Sequence, residues 1–358
     1  MLFRSLLFFG DGSLRRFHLD AEGRAITNAT ETLLVSGYGE HGTHAMRKGP
    51  DGFWYLICGN DAGFGVKNVT SARSPVQRPE AGCVLRFTPD FKSSEVIAHG
   101  LRNPYDYDFN SDGELFTYDS DVEREFLLPW YTPTRLYHLA YGGHHGWRLS
   151  GYLRSHMRRA YYADSVEMLA PIGRGSPTGV TFGYGAKFPA KYQEAFFACD
   201  WSYGKLYAVH LTPAGSSYSA KLEEFITGQP LPLTDIVVRP QDQAMYFTVG
   251  GRKVQSGLYR VTYTGGESTA PAPANPAGAE ARAVRHKLEA FNGVKDPAAI
   301  TTAWPYLNHA DRFIRSAART AIEHQPAAQW AEKALAEHDT RASLAALLAL
   351  ARSEEQHV

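Results

Sequence analysis

Short apolar runs with aromatic ends recur along the first 263 residues, and each follows a small or turn-forming residue. Five of them begin at positions 12, 82, 134, 204 and 257, so the intervals are 70, 52, 70 and 53 residues. Partner runs at residues 53–57, 114–118 and 244–248 follow the turn sequences Pro-Asp-Gly, Ser-Asp-Gly and Gln-Asp-Gln. This pattern predicts many short antiparallel strands that are joined by tight turns.

The interval between runs predicts how the strands are grouped. A period of about 50 to 70 residues that holds several strands is typical of a β-propeller, whose blades stack around an axis. A β-sandwich is the alternative, but it requires no such repeat. Only one strand fits before Gly12, so we expect an all-β propeller with about four and a half blades over residues 1–263. A propeller closes by pairing its ends, since unpaired strand edges are prone to aggregate. We therefore expect that this chain is truncated at its N-terminus or that its sheets close imperfectly.

The composition changes near residue 264. Residues 264–283 are rich in Pro, Ala and Gly and predict a linker, whereas residues 284–354 are rich in Ala and Leu and predict helices. We expect four helices in two pairs. The first begins at Asp296, and the other three span about 311–324, 327–338 and 340–352. Paired amphipathic helices of this length resemble HEAT repeats. This segment is a docking surface or a stabilising cap, and we favour the cap because two pairs make little concave surface.

Composition and charge narrow the classes of function. The chain has 358 residues, of which 44% are hydrophobic and 13% aromatic, enough to bury a sizeable core. Lys plus Arg and Asp plus Glu number 37 each, so a nucleic-acid partner is disfavoured. No apolar run is long enough to span a bilayer. Cys58, Cys83 and Cys199 are too scattered for a disulfide framework or c-type haem attachment, and we interpret them as buried.

The loop around His41 is the first candidate for chemistry. Imidazole is well matched to proton abstraction near neutral pH, and the neighbouring Gly37, Gly39 and Gly42 would let the backbone lie close to a ligand. The alternative is a structural histidine that is hydrogen-bonded within its loop.

Arg102 and Asn103, directly before Pro104, are the second candidate. Side by side, a guanidinium and an amide can polarise a carbonyl or hold a carboxylate. The alternative is an ordinary loop arginine that precedes a proline turn.

Three segments contain side chains that can bind metals. Asp119, Asp121 and Glu123 place three carboxylates within five residues, a donor set that suits Ca²⁺, and a solvated acidic loop is the alternative. Residues 108–113 match the first half of an EF-hand loop, but their flanks read as strands, and a hairpin turn explains them without a metal. The paired histidines in 142–147 are better explained by a packed loop.

The order of these features is more specific than any one of them. After His41 come a Gly-Pro-Asp-Gly turn at 49–52, Leu-Arg-Asn-Pro at 101–104, the acidic loop at 119–123 and Gly-Gly-His-His-Gly-Trp at 142–147. This order resembles the soluble quinoprotein glucose/sorbosone dehydrogenases, which are six-bladed propellers. It is most similar to the planctomycete-type membrane-bound dehydrogenase-like proteins, which join such a propeller to HEAT repeats and a c-type haem domain. The resemblance implies that this chain lacks the haem domain and N-terminal propeller strands.

The resemblance also implies a reaction, the oxidation of a sugar or polyol that depends on pyrroloquinoline quinone (PQQ). His41 would match the base that takes the hydroxyl proton while hydride passes to PQQ. Arg102 and Asn103 would match the pair that contacts the quinone oxygens, and Ca²⁺ would bridge the cofactor to the acidic loop 119–123. Electrons would pass to an external acceptor such as a separate cytochrome c, and the related proteins imply a periplasmic or exported location.

Two departures from the family pattern leave a second hypothesis open. Ser202 stands at the cofactor-binding position where the glucose enzymes have a lysine, and the apolar segment 231–233 stands where they have two arginines. PQQ carries three carboxylates, so the loss of three cations is expected to weaken its binding. The alternative function is a non-catalytic propeller that acts as a sugar-binding or assembly module.

Overall fold

The computed structural model describes residues 5–10, 12–37, 39–150, 153–155, 161–251 and 253–355. Strands dominate as far as residue 261, and helices occupy the chain from residue 279 onward. Within the described ranges, no helix combines the length and the apolar character that crossing a membrane would require.

Five antiparallel sheets of three or more strands follow one another along the described chain. The first contains β1 (Ser5–Gly10), β2 (Ser13–Leu19) and β3 (Ala25–Val35). The second contains β4 (Thr43–Lys48), β5 (Trp54–Cys58), β6 (Gly82–Phe87) and β7 (Ser94–Leu101), and the two-residue β11 (Gly143–His144) pairs in parallel with β7.

The remaining three sheets are also built from antiparallel strands that follow one another along the chain. The third contains β8 (Tyr107–Phe109), β9 (Leu115–Asp119), β10 (Thr134–His138) and β14 (Ala170–Gly173), and the hairpin of β12 (Arg148–Ser150) and β13 (Leu153–Ser155) is inserted into it. The fourth contains β15 (Pro177–Phe182), β16 (Phe196–Asp200), β17 (Lys205–Ala214) and β18 (Ser217–Thr227), with the short helix α1 (Ala190–Gln193) before β16. The fifth contains β19 (Leu233–Arg239), β20 (Ala244–Gly251) and β21 (Val254–Val261).

The predicted runs all lie on strands, and the predicted β class is confirmed. We expected about four and a half blades; the structure has three sheets with four antiparallel strands each, flanked by two sheets of three. Among the described residues no hydrogen-bonded strand pair joins the first sheet to the fifth, so the sheets do not close into a ring. The six-blade count of the resembling family stays a prediction.

Strand β16 shows why these sheets stack in a row. Phe196 and Ala198 pack toward the third sheet, whereas Phe197 and Cys199 pack toward the fifth, as the two-residue period of a strand requires. Each face of the strand is buried, which explains its nearly continuous apolar sequence. All three cysteines are buried and free, as we predicted.

The same packing joins each pair of neighbouring sheets. Phe9 and Leu34 of the first sheet contact the core of the second. Apolar residues of the second and third sheets form the next core, and residues of the third and fourth form another. The loops at the strand ends are therefore held by four successive layers of buried side chains.

The helical part contains α2 (Ala279–Glu289), α3 (Ala298–Ala303), α4 (Arg312–Glu323), α5 (Ala331–Leu335) and α6 (Thr340–Glu355). Single 3₁₀ turns lie at Val66–Asn68, Glu125–Leu127, Trp304–Tyr306 and Ala327–Gln329. The Asp296 carboxylate accepts the Ala298 N–H at 2.9 Å, so the predicted helix start is present.

Two helices differ from the sequence prediction. Helix α2 begins at Ala279, inside the predicted linker 264–283, because the last proline is Pro276 and nothing after it prevents a helix. The predicted helix at 327–338 is a 3₁₀ turn followed by the short α5, which begins just after Trp330. The resemblance of this part to HEAT repeats stays a prediction.

A buried polar network connects α2 to the third sheet. The Glu114 carboxylate accepts from Arg285 Nη2 at 2.5 Å, lies 2.9 Å from His286 Nε2, and lies 2.8 Å from His138 Nε2. Arg285 also donates to Glu289 at 2.7 Å. The helical part is thereby attached to the β-rich part by paired charges.

Candidate functional site

Loops from one sheet meet around Gly59, just after β5. His41 precedes β4 and Asn103 follows β7, both in the second sheet. A Cβ atom at position 59 would lie 2.5 Å from the Asn103 Oδ1 atom and 2.7 Å from the His41 carbonyl oxygen. Only glycine permits this approach. The fold therefore brings the predicted base and the predicted amide together, although they are far apart in the sequence.

Asn60 determines the protonation pattern of the His41 ring. The His41 Nδ1 atom lies 2.7 Å from Asn60 Oδ1, and Asn60 Nδ2 donates to Asp61 Oδ1 at 2.8 Å, which fixes the orientation of the amide. A carbonyl oxygen only accepts, so Nδ1 carries the hydrogen. Nε2 is then the ring atom with a free lone pair, and it can accept a proton from a substrate hydroxyl.

His44 holds the Asn103 side chain in the same way. Its Nε2 atom lies 2.7 Å from Asn103 Oδ1. Burial lowers the pKa of His44, which favours the neutral ring. Because Oδ1 accepts from His44, the Asn103 Nδ2 group is the part of this amide that can donate to a ligand.

Asp119 shapes the turn that carries Arg102 and Asn103. It is fully buried at the end of β9. Its Oδ2 atom accepts the Arg102 N–H at 2.9 Å, and its Oδ1 atom accepts the N–H groups of Asn103 at 2.7 Å and Ser120 at 2.8 Å. We predicted this residue as a calcium ligand, but the structure places its carboxylate under the turn, where both oxygens bind backbone.

The Arg102 side chain is fixed by three contacts. Nη1 donates to Ser120 Oγ at 2.8 Å, and Nη2 lies 3.3 Å from Glu123 Oε2. The guanidinium carbon lies 5.8 Å from the ring centroid of Trp147. This cation is therefore preorganised, with part of its charge balanced by Glu123.

A cavity of about 920 Å³ lies at the ends of these strands. Most of the predicted site residues line it, namely His41, Arg102, Asn103, Asp121, Glu123 and Ser202. The fold thus collects side chains from the second, third and fourth sheets at one opening. Other wall residues were not predicted as site residues, namely Glu40, Tyr131, Arg174, Gly175, Ser176 and Tyr203.

Asp121 lies at the acidic wall of the cavity. Burial raises its pKa, and the neighbouring Glu123 charge adds to the rise, while hydrogen bonds from the Tyr131 hydroxyl and the Gly175 N–H oppose it. Across the described ranges, no group of three or more His, Cys, Asp or Glu side chains is arranged to hold a metal ion. The Ca²⁺ site stays a prediction for which Asp121 and Glu123 are the carboxylates on the cavity wall.

Asp200 joins two loops below the cavity, and sequence reasoning missed it. Its Oδ1 atom accepts the N–H groups of Ser176 and Ser202, both at 2.9 Å. A Cβ atom at Gly175 would lie 2.9 Å from Asp200 Oδ2, so the glycine lets the loop rest on the carboxylate. Burial raises the pKa of Asp200. The feature of the sequence that could have indicated Asp200 was its position at the end of an apolar run.

Ser202, which stands where the glucose enzymes have a lysine, lines the cavity together with Arg174. The Ser202 Oγ atom lies 2.6 Å from Ser176 Oγ, so the two loops are also joined through their hydroxyls. Arg174 precedes Gly175, and its guanidinium carbon lies 5.3 Å from the Tyr131 ring centroid. The arginine between two glycines at 173–175 was the available signal, and we did not use it.

A smaller cavity of about 340 Å³ shares His41, Arg102 and Glu123 with the first. Its other walls include the apolar side chains of Val122, Leu127 and Trp147. His41 therefore lies where a polar cavity and a more apolar one meet.

The other predicted metal segments are explained without a metal. Asn110 Oδ1 accepts the N–H groups of Asp112 at 3.0 Å and Glu114 at 2.9 Å, which is the hairpin turn that we favoured for 108–113. His144 and His145 are buried, and burial lowers the pKa of His145 to about 3. The packed-loop interpretation of 142–147 agrees with this burial.

The fold is similar to that of several solved sugar dehydrogenases. The PQQ-bound aldose sugar dehydrogenase from Streptomyces coelicolor is 15% identical, with a TM-score of 0.50 over 71% of this chain and 73% of that one. Two structures of glucose dehydrogenase are 14% and 16% identical, with TM-scores of 0.52 and 0.53, and each comparison covers 73% of this chain and 77% of the other. No protein-family model and no curated protein matches the sequence.

At these identities the similarity shows the fold alone. The five stacked sheets share the β-propeller architecture of these solved structures. The substrate, the cofactor and the activity of this chain depend on the side chains described above.

Proposed function

We propose that this chain is an oxidoreductase that uses PQQ to oxidise a sugar or another polyol. The observation that carries the proposal is the shared cavity of His41, Arg102 and Asn103, in which the Asn60 contact leaves His41 Nε2 free to accept a proton. The similarity of the fold to a PQQ-bound aldose sugar dehydrogenase supports it.

The donors on the cavity wall fit PQQ. The cofactor is a planar quinone with three carboxylates, and guanidinium groups bind carboxylates in a planar, two-pronged geometry. Arg102 and Arg174 both line the cavity, together with the Ser202 hydroxyl. We assign the binding of the quinone oxygens to Arg102 and Asn103, and a further cofactor contact to Ser202.

The chemistry divides between the cofactor and the protein. The bound PQQ would supply the chemistry of a hydride acceptor for the substrate carbon. His41 takes the proton from the hydroxyl on that carbon, so that a C–H and an O–H bond become a carbonyl group. Asn60 holds the ring in the required tautomer. Arg102 presents positive charge where negative charge grows during the reaction.

We also propose that Asp121 and Glu123, on the acidic wall, would hold Ca²⁺. Asp121 and Glu123 line the cavity and are oxygen donors of the kind that Ca²⁺ prefers. Asp119, which we predicted beside them, supports the turn instead, because backbone N–H groups occupy both of its oxygens.

The electron acceptor and the compartment follow from the resemblance described above. We propose an external acceptor, such as a separate cytochrome c, and a periplasmic or exported location. The kinship with planctomycete-type dehydrogenase-like proteins is part of the same proposal.

The second candidate function is a sugar-binding or assembly module without catalysis. One observation favours it. Leu233 is fully buried in the core between the fourth and fifth sheets, so the segment 231–233 carries no cation toward a cofactor. Binding of a ligand would then depend on Arg102, which follows β7 of the second sheet, and on Arg174, in the loop before β15.

The test is dye reduction by the purified chain with PQQ, Ca²⁺ and a panel of aldoses and polyols. We expect a signal that needs PQQ, falls on treatment with EDTA, and drops by about 10²- to 10⁴-fold in His41→Ala. His18→Ala is the matched control, because His18 lies on β2 of the first sheet and is not part of the cavity wall. An equal signal from His41→Ala, or none with any substrate, would leave the binding module as the function.

A further inference from the structure

Arg174 is a cavity residue whose charge has no carboxylate partner among the residues that the structure describes. It lies between β14 and β15 and lines the cavity of about 920 Å³. Its contact is the Tyr131 ring, 5.3 Å from the guanidinium carbon. No described carboxylate lies within ion-pair distance of it, whereas Arg47, Arg86 and Arg102 each pair with a carboxylate.

The comparison with Arg102 shows how unusual this is. Arg102 donates to Ser120 and pairs with Glu123, so its donors are already used in part. Among the described residues, the Arg174 guanidinium has no hydrogen-bond acceptor, so its N–H donors remain available to a ligand in the cavity that it lines. An arginine that is stacked on an aromatic ring and has free donors is suited to bind a planar anion.

The loop that carries Arg174 is braced on both sides. On one side, the Gly175 backbone and the Tyr131 hydroxyl both interact with the Asp121 carboxylate. On the other, the Ser176 N–H bonds to Asp200, and Ser176 Oγ lies 2.6 Å from Ser202 Oγ. The same residues that form the cavity wall therefore position the guanidinium before any ligand binds, which lowers the entropic cost of binding.

We propose that Arg174 binds a carboxylate of the ligand in this cavity and supplies the positive charge that the serine at position 202 does not. The ligand class is an aromatic polycarboxylate, and the inference rests on the proposed function in taking PQQ as its natural example. The position of this charge explains how a chain with Ser202 and the apolar segment 231–233 can still hold such a ligand.

The experiment measures binding rather than turnover. PQQ and benzene-1,3,5-tricarboxylate, which has carboxylates but no quinone, are titrated by calorimetry into the wild-type chain, Arg174→Gln, Arg174→Lys and Arg239→Gln. A charge-assisted hydrogen-bonded contact is worth about 1.5–3 kcal/mol, so we expect Arg174→Gln to weaken binding about 10- to 100-fold. Arg174→Lys keeps the charge without the planar fork and should fall between the two. Arg239 is exposed, paired with Asp242 and absent from the cavity wall, so its variant should bind as the wild type does.

The outcomes separate this inference from the proposed function. If Arg174→Gln binds both probes as tightly as the wild type, the role of Arg174 is wrong and the proposed function stands. If the wild type binds the tricarboxylate through Arg174 but does not bind PQQ, the proposed function fails and the carboxylate site stands. If the wild type binds neither probe, or if Arg239→Gln loses as much affinity as Arg174→Gln, this inference fails. Equal thermal midpoints of the variants will show that the comparison is made between folded proteins.

Discussion

Asn60 decides which nitrogen of His41 can accept a proton. Its Oδ1 atom lies 2.7 Å from His41 Nδ1, and its own amide is oriented by Asp61. Without this contact the imidazole could rotate or adopt the other tautomer, and the lone pair would leave Nε2. If His41 is the base of the proposed reaction, Asn60 acts through it as a positioning residue.

We expect Asn60→Ala to lower kcat by about 100-fold, because small misplacements of a reacting group have effects of that order. KM should change much less, since Asn60 is not part of the wall of the larger cavity. Asn60→Asp should not restore the rate, because its second carboxylate oxygen would face Asp61 Oδ1, which accepts from Asn60 Nδ2 in the wild type. Steady-state kinetics with Asn28→Ala, an exposed site on β3, as the control will check this. A loss that appears only in KM would contradict a positioning role.

The site residues show how much of the site the sequence could predict. It pointed to His41, Arg102, Asn103, Asp121, Glu123 and Ser202, all of which line one cavity. It did not reveal Asn60, Asp200 or Arg174. Residue type signals possible chemistry, but a hydrogen-bond partner depends on strand register and on loop approach, and neither is visible in a local pattern.

At the scale of elements, the three carboxylates of the acidic loop 119–123 make three different kinds of contact. Three carboxylates within five residues predict a metal site from composition alone. In the structure Asp119 ends β9 and faces the turn after β7, Asp121 contacts Tyr131 and Gly175, and Glu123 pairs with Arg102. Because β9 ends at Asp119, the three carboxylates contact different partners. Their spacing along the chain cannot predict this.

Asp119→Asn is expected to lower the free energy of unfolding by about 1–3 kcal/mol. The new Nδ2 group would face a backbone N–H of Arg102 or Asn103, and a buried donor would be left without an acceptor. Urea denaturation will measure the change. Asp90→Asn, in an exposed turn, is the control and should leave the midpoint unchanged. Equal midpoints for Asp119→Asn and the wild type would contradict this function of the carboxylate.

Helices were harder to predict than strands for a physical reason. The strand runs have turns at both ends and bury both faces, so their pattern is strong. The segment 327–338 contains good helix formers, yet only Ala331–Leu335 is helical, because Trp330 is buried in the helical core and interrupts the first turn. Tertiary packing there overrides local propensity.

At the scale of the whole molecule, several polar contacts attach the helical part to the stacked sheets. Besides the Glu114 network, Arg282 lies 3.0 Å from Asp112, and the Asp311 carboxylate accepts the Ser216 N–H at 2.5 Å. His324 Nε2 lies 3.1 Å from the Pro75 carbonyl oxygen, so these contacts reach the second, third and fourth sheets. Such contacts favour the stabilising cap over the docking surface that we left open.

Glu114 is the central charge of this attachment. Burial alone would raise its pKa, but hydrogen bonds from His138 and His286 and the charge of Arg285 hold the pKa of Glu114 well below its ordinary value. The stability that it contributes is therefore fully present above the ordinary glutamate pKa and is lost as pH falls toward the folded value. The raised pKa of His286, caused mainly by its bond to Glu114, acts the other way, since its contribution is lost as pH rises. Burial lowers the pKa of His138, so its protonation at low pH adds to the acid destabilisation.

Glu114→Gln should thus lower the free energy of unfolding by about 3 kcal/mol at pH 6, because it leaves the buried Arg285 with an uncompensated charge on that side. The difference from the wild type should shrink toward pH 3, where the wild-type carboxylate loses its advantage. Urea denaturation at several pH values will test both statements. Glu31→Gln, which removes a surface pair with Arg16, should change stability by less than about 0.5 kcal/mol at every pH. A Glu114→Gln effect as small as that of the control, or one that grows as the pH falls, would show that the two parts of the chain are held together by apolar packing instead.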